Sequence, residues 1–352
     1  MLLSRTGGLA DIGIAGARGF ELAMKELASK WKTSNYRVQF IYEDAGSGPD
    51  TAAIATNKLI RGDKVDVIIG DLTSTTTLAA APIAQSAKVP LLSPSSTSDK
   101  TTQVGNYVFR ACLVDSVQAI AMANYAFDRL KIKEVAVLVD MDMDHSRDVS
   151  KVFIKEFEKR GGKILKVVRF RGNHDTSNVA QLTELRNLHP QAIYAPVYYA
   201  KMGAIFKQAR TFGIQAQFLG DDAWDSPLLF DLAAGTTEGG LFTNTFSYLN
   251  PSQKVQKFRA NFKGSYGVEP SAYSALAYDS IFVLENALSR IVFPMKKSFS
   301  ESIRDGLATT KRIEGVTGEI SLDRDRNAPK PDIVILQLKK DGYKFHGTYI
   351  NQ

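Results

Sequence analysis

Along most of the chain, short runs of β-branched and other apolar residues alternate with longer amphipathic stretches. Residues 38–42, 65–69, 89–92, 135–139, 164–170, 192–195 and 218–219 are predicted strands. Most of these runs are continuously apolar, the pattern of strands in a parallel sheet covered on both faces. Between them, residues 16–29, 50–60, 78–86, 116–130, 148–160, 179–188 and 201–212 carry helical periodicity. The repeated strand–helix order predicts an α/β, doubly wound architecture. After about residue 250 the pattern changes. Two longer helices are expected over 251–266 and 270–291, then a hairpin of 333–338 and 343–349 around Lys340-Asp341-Gly342. A second α/β unit that begins near residue 115, with helices added late, predicts two interleaved lobes. Lobe one takes 1–113 plus 242–320, and lobe two takes 114–241 plus 321–352. Three crossovers, near 112–115, 240–244 and 318–323, would form a hinge.

Composition narrows the class. At 352 residues and 44% hydrophobic, the chain has material for two cores. The net charge is +7, but basic and acidic residues are interspersed, as in Lys155-Glu156-Phe157-Glu158-Lys159-Arg160. No basic stripe with interleaved aromatics is present, so no nucleic-acid partner is expected. A mild positive field suits capture of an anionic group. The single cysteine, Cys112, sits in an apolar stretch and is expected to be a small buried hydrophobe, with no internal disulfide available to it. No run approaches the roughly 18 apolar residues of a membrane span. Met1-Leu2-Leu3-Ser4 is too short for a secretory leader, so an exported form is expected to have lost one.

In open α/β sheets, ligands bind beyond the carboxyl ends of the strands. After the strand at 65–69 comes Gly70-Asp71-Leu72-Thr73-Ser74-Thr75-Thr76-Thr77, five consecutive hydroxyls at a helix N-terminus. Unpaired N–H groups and the helix dipole favour an anion there, although plain capping would account for some of these residues. After the strand at 89–92 comes a second hydroxyl-rich loop, Ser93-Pro94-Ser95-Ser96-Thr97-Ser98. Two such loops after successive strands make a carboxylate receptor. Neither is a glycine-rich phosphate loop, and Gly13-Ile14-Ala15-Gly16 lacks the spacing of a dinucleotide fingerprint. After 218–219 comes Gly220-Asp221-Asp222-Ala223-Trp224-Asp225, where a carboxylate can hold an ammonium group and Trp224 can wall the pocket or add cation–π attraction. Tyr198 and Tyr199 follow the strand at 192–195.

These segments resemble the periplasmic binding proteins for branched-chain amino acids and related ligands, of the type I fold. The matching stretches are Ser4-Arg5-Thr6-Gly7, Ile68-Ile69-Gly70-Asp71-Leu72-Thr73-Ser74, Leu92-Ser93-Pro94-Ser95-Ser96-Thr97, Phe109-Arg110 with Asp115-Ser116-Val117-Gln118, Gly220-Asp221-Asp222-Ala223-Trp224 and Ala277-Tyr278-Asp279. They occur in family order over nearly the whole chain. The resemblance implies that Ser74 and Thr97 bind the ligand α-carboxylate, that Leu72 and Ser95 offer backbone groups, and that Asp222 holds the α-ammonium with support from Tyr198. It implies a zwitterion that favours closure of the lobes, delivery to an ABC permease and its ATPase, a monomer, and a location in the periplasm or on the extracellular face of the membrane. Ligand sensing and capture of organic or aromatic acids are the alternatives on the same fold.

Several positions depart from the family pattern. Asp140-Met141-Asp142-Met143-Asp144-His145 stands where a Tyr-Gly pair is usual, which places Asp144 or His145 at the tyrosine and hints at a polar or cationic ligand group. Gly46 and Thr73 occupy the positions of a small disulfide found in some relatives, and Ile12 replaces an aromatic that closes the pocket in others. Only Met1-Leu2-Leu3 stands where the family opens with a full strand.

No catalytic residue, metal or cofactor is expected. Asp140, Asp142 and Asp144 imitate the start of a calcium loop, but His145 and Lys151 occupy positions that require Gly and Glu. The four histidines show no paired metal spacing, and His174-Asp175 has no accompanying nucleophile elbow.

Overall fold

The computed structural model describes residues 1–172, 177–330 and 332–350. In chain order the elements are β1 (Leu2–Leu3), α1 (Ala10–Lys32), β2 (Glu43–Asp44), α2 (Pro49–Asn57), β3 (Ile68–Ile69), α3 (Ser74–Ala87), β4 (Leu91–Ser93) and β5 (Val108–Arg110). Next come α4 (Asp115–Asn124), β6 (Glu134–Asp140), α5 (Asp144–Lys159), β7 (Lys163–Phe170), α6 (Val179–Leu188), β8 (Ala192–Tyr194), α7 (Tyr199–Thr211), β9 (Gln217–Gly220), α8 (Leu228–Ala233) and β10 (Leu241–Asn244). The chain continues through α9 (Gln253–Tyr266), α10 (Ala272–Leu288), α11 (Phe299–Ala308), β11 (Ile313–Gly315), β12 (Gly318–Ile320), β13 (Asp332–Lys339) and β14 (Gly342–Ile350). Two compact units result. Unit 1 is Met1–Val114 with Asn250–Lys330, and unit 2 is Asp115–Leu249 with Pro331–Gln352.

Unit 1 holds β3, β4 and β5 in one parallel sheet, and β1 paired parallel to β2. Its core gathers Leu2, Ala52, Leu59, Ile68, Ala80, Leu91 and Val108, all fully buried. The expected strand at 38–42 is not one. Pairing starts at Glu43, whose N–H reaches the Met1 carbonyl, and continues with Ala45 N–H on the Leu3 carbonyl, so the strand lies C-terminal to the apolar run. Strand β5, at three residues, is too short to show a period, whereas α11 was missed although its ten residues carry a clear amphipathic pattern.

Glycines on α1 serve packing. A Cβ on Gly13 would stand 1.9 Å from the Ser4 carbonyl oxygen, and one on Gly19 would stand 2.1 Å from that of Ser274 on α10. Gly19→Ala is therefore expected to destabilise the protein by about 1–3 kcal/mol through overpacking, against an intrinsic helix preference of about 1 kcal/mol in the other direction. A lower urea midpoint at constant m-value checks it, and a raised midpoint would show that the helices do not approach as described.

Unit 2 is built on a seven-stranded sheet of order β14-β13-β10-β9-β8-β6-β7. Strands β6 to β10 pair in parallel, while β13 and β14 are antiparallel additions. Strand β10 hydrogen-bonds to β9 on one side and β13 on the other, which places residues 242–249 with this unit and corrects the expected lobe boundary at 241/242, while residues 321–330 pack with unit 1 and correct the one at 320/321. Phe153 on α5 stacks on Tyr194 of β8 with ring centroids 3.8 Å apart, and on Phe157 at 5.5 Å. The chain leaves β6 to one side for β7 and returns to the other for β8. This reversal of strand order at β6 is the switch point at which open α/β sheets bind ligands, beyond the carboxyl ends of the strands. The loops after β6, β8 and β9 reach that edge. The His174-Asp175 pair lies outside the described residues.

Candidate functional site

Unit 1 presents the two hydroxyl-rich loops after β3 and β4. Asp71 organises the first. Its buried carboxylate accepts from Ser4 Oγ at 2.6 Å, Ser4 N at 3.3 Å and Leu72 N at 2.6 Å, and also from Thr76 Oγ1. Burial pushes its pKa up, and these hydrogen bonds oppose the rise. The two loops are sewn together by hydroxyls. Ser93 Oγ donates to the Asp71 carbonyl at 2.7 Å, and Ser95 Oγ donates to the Leu72 carbonyl at 2.7 Å. Ser74 Oγ, on the first residue of α3, accepts from Ser98 N at 3.2 Å. Thr73 Oγ1 pairs with Thr76 Oγ1 at 2.6 Å, and Thr73 makes no side-chain capping bond to the helix. Arg110 on β5 clamps the second loop from beneath, donating to the carbonyls of Ser96 at 3.1 Å and Ser98 at 2.6 Å and to Asn327 Oδ1 at 2.7 Å. The result is a rigid set of hydroxyls and amides at the positive end of the α3 dipole, fit to receive a carboxylate.

Unit 2 presents an acidic cluster. His145, on the first turn of α5, is 2% exposed, and its ring lies between two carboxylates. Nδ1 is 3.1 Å from Asp115 Oδ1, and Nε2 is 3.0 Å from Asp221 Oδ2. Burial alone would lower the histidine's pKa, but the Asp221 and Asp115 charges outweigh it and hold the pKa well above the ordinary value. A carboxylate oxygen beside each ring nitrogen favours the imidazolium form. Asp221 Oδ1 also accepts from Ala223 N at 3.2 Å. Asp222 Oδ1 accepts from Gln118 Nε2 at 2.9 Å, and Thr243 Oγ1 in turn donates to Gln118 Oε1 at 3.3 Å. Burial and the neighbouring Asp221 charge raise the Asp222 pKa, while the imidazolium pulls it down. The Tyr198 ring lies 5.4 Å from that of His145, and burial raises its hydroxyl pKa. Three buried carboxylates face one imidazolium, so the cluster carries excess negative charge. Both Asp115 oxygens and the Tyr194 hydroxyl are buried without a hydrogen-bond partner, Asp115 Oδ1 meeting His145 Nδ1 as an ion pair.

His145, Asp221 and Asp222 can each bring one ligand atom within 4.8 Å of the others, close enough for a metal ion. Both imidazole nitrogens already face carboxylate oxygens, however, and a ring that donates through both has no lone pair for a metal. The cluster is an ion-pair network suited to a cationic group.

Among the expected site residues, Leu72, Thr73, Ser74, Ser95 and Thr97 are brought together on unit 1, all nearly fully buried. Ile12 is buried on α1 of the same unit. Asp222 and Tyr198 are brought together on unit 2. Two placements are corrections. Asp144 turns to Arg147 one helical turn along α5, and it is His145 that joins the cluster. Trp224 is 1% exposed, packs on Phe206 at 5.1 Å and Phe242 at 6.1 Å, and donates from Nε1 to the Ala195 carbonyl at 3.1 Å, so its ring belongs to the core. Sequence reasoning gave no role to Asp115, Gln118 or Asp221. The i,i+3 spacing of Asp115 and Gln118 in the first turn of a helix was the available signal.

A two-unit α/β fold with polar receptors at its strand ends is the build of a solute-binding protein. Residues 1–343 match the model of the periplasmic binding protein family, and the chain belongs to that family. A leucine binding protein from Thermotoga maritima MSB8 is 34% identical, with a TM-score of 0.92 over 99% of this chain and 97% of that one. A branched-chain amino acid transporter substrate binding protein from Streptococcus pneumoniae, solved with isoleucine, is 31% identical, with a TM-score of 0.90 over 99% and 97%. An amino acid binding protein of Pseudomonas aeruginosa is 28% identical over 97% of this chain and 89% of its own length.

Proposed function

We propose that this protein captures an amino acid through its α-carboxylate and α-ammonium and delivers it to the permease and ATPase of an ABC importer. The observation that carries this reading is the pairing of opposite receptors at strand ends. Unit 1 offers buried hydroxyls and a helix N-terminus, and unit 2 offers a buried, net-negative carboxylate cluster. One zwitterion satisfies both. The amino acid binding named for the relatives agrees with it. In this reading Ser74, Thr97 and the backbone around Leu72 and Ser95 take the carboxylate, and Asp222 with Tyr198 takes the ammonium. The protein works as a monomer outside the cytoplasmic membrane and alters no bond of its ligand.

The test is a thermal-shift screen against the amino acids and their des-amino analogues. A ligand at a hundred times its dissociation constant adds about 2.7 kcal/mol to stability. A shift with one class of amino acid and none with its des-amino analogue is expected. Asp222→Ala should weaken that ligand about a hundredfold. A shift with carboxylates that lack an amine would remove the role given to Asp222 and point to organic-acid capture.

A further inference from the structure

A single carboxylate is enough to receive an ammonium group, yet the cluster around His145 buries three. Asp115 stands on the first turn of α4, and Asp221 and Asp222 follow β9. Without a counter-charge, three carboxylates in one low-dielectric site would repel one another, and one or more would take up a proton. The groups that act on His145 are Asp115 from α4, Tyr198 before α7, and Asp221 and Asp222 after β9, and Tyr194 of β8 feels the same three carboxylates. On its own helix, Asp144 and Arg147 pair with each other. The imidazolium is the one cation among these groups.

We infer that His145 is a positioning residue for the ammonium receptor: clamped between Asp115 and Asp221 at 3.1 and 3.0 Å, its protonated ring offsets one of that pair's two charges and favours the ionised form of Asp222 as the acceptor. This inference rests on the ligand reading above, and it deepens that reading by assigning the receptor's charge state to a residue with only 2% of its surface exposed. The sign follows from the geometry. Asp222 must be charged to hold an ammonium group. Replacing the imidazolium with a neutral amide of similar reach leaves Asp115 and Asp221 uncompensated, and their field favours protonated Asp222. Affinity is then lost as pH falls, and lost earlier than in the wild type. A free amino acid's ammonium stays protonated from pH 5.5 to 8.5, so the profile reports the receptor.

The experiment has two arms on the full chain. In the ligand-free protein, the Asp222 carboxyl carbon is titrated by NMR in wild type, His145→Asn and the double variant His145→Asn/Asp221→Asn. The midpoint should rise by about one pH unit or more in the single variant and return toward wild type in the double variant, which leaves one buried carboxylate, Asp115, without its cation where the single variant leaves two. In the second arm, calorimetry follows affinity for the amino acid found in the screen. The single variant should bind about tenfold more weakly at pH 6.5 and approach wild type at pH 8.5. An Asp222 midpoint that does not move, or a loss of affinity equal at every pH, would overturn the inference. If no amino acid binds the wild type, the ligand reading fails, while the carboxyl titration still decides what His145 does.

Discussion

Arg110→Met should destabilise the protein by about 3–5 kcal/mol and weaken ligand binding with it. The guanidinium is fully buried and donates to Ser96 O, Ser98 O and Asn327 Oδ1, with longer contacts to Asp99 O and Thr102 Oγ1. Methionine fills much of the volume, so the cost comes from lost charge-assisted bonds rather than from a cavity: the Ser98 carbonyl keeps Thr101 N and the Ser96 carbonyl the weak Cys112 Sγ donor. Those carbonyls belong to the loop that places Ser95, Thr97 and Ser98. A loop released from beneath loses the alignment of Ser98 N on Ser74 Oγ and the bond from Ser95 Oγ to the Leu72 carbonyl. Arg110→Lys should rescue little, because one ammonium cannot reproduce a planar fork aimed at several acceptors. Urea denaturation and ligand calorimetry on the three proteins check this. A lysine variant within about 1 kcal/mol of wild type would mean that charge, not fork geometry, holds the loop.

Trp224→Ala should cost about 3–5 kcal/mol, as truncation of a buried large aromatic does. The ring fills the space between Phe206 and Phe242 and covers Gly220, where a Cβ would stand 2.3 Å from the indole. Trp224→Phe keeps most of the packing and loses the donor to the Ala195 carbonyl, so about 1–2 kcal/mol is expected. Because the indole sits two residues beyond Asp222, the alanine variant should also lose ligand affinity, whereas the phenylalanine variant should keep most of it. Equal loss of affinity in both would place the ring in contact with ligand, against the packing described.

What the sequence made legible follows from pattern length. A continuous apolar strand such as β6, and the helices of ten residues or more, carry enough residues to show a pattern. The two- and three-residue strands β2 and β5 do not. The strand expected over 38–42 fell on an apolar run beside the one that pairs. The hydroxyl loops were legible because five hydroxyls in a row before a helix is a compositional signal that needs no third dimension. The acidic cluster was only half legible. Asp222 stood out at a strand end, but Asp115 and His145 lie 30 residues apart in sequence and meet Asp221 only after α4, α5 and β9 are in place. Trp224 was misread because an aromatic beside a candidate carboxylate looks the same in sequence whether it faces a ligand or the core.

The order in which the units are completed has a consequence for synthesis. Unit 1 needs α9, α10 and α11, which follow the whole of β6 to β10, and the sheet of unit 2 needs β13 to cover the edge of β10. A nascent chain of 249 residues therefore holds neither unit entire. Domains that are contiguous in sequence can fold one after another as they leave the ribosome. Here the decisive pairings span long stretches of chain, and such pairings form slowly. Until its last quarter is made, the polypeptide completes neither unit.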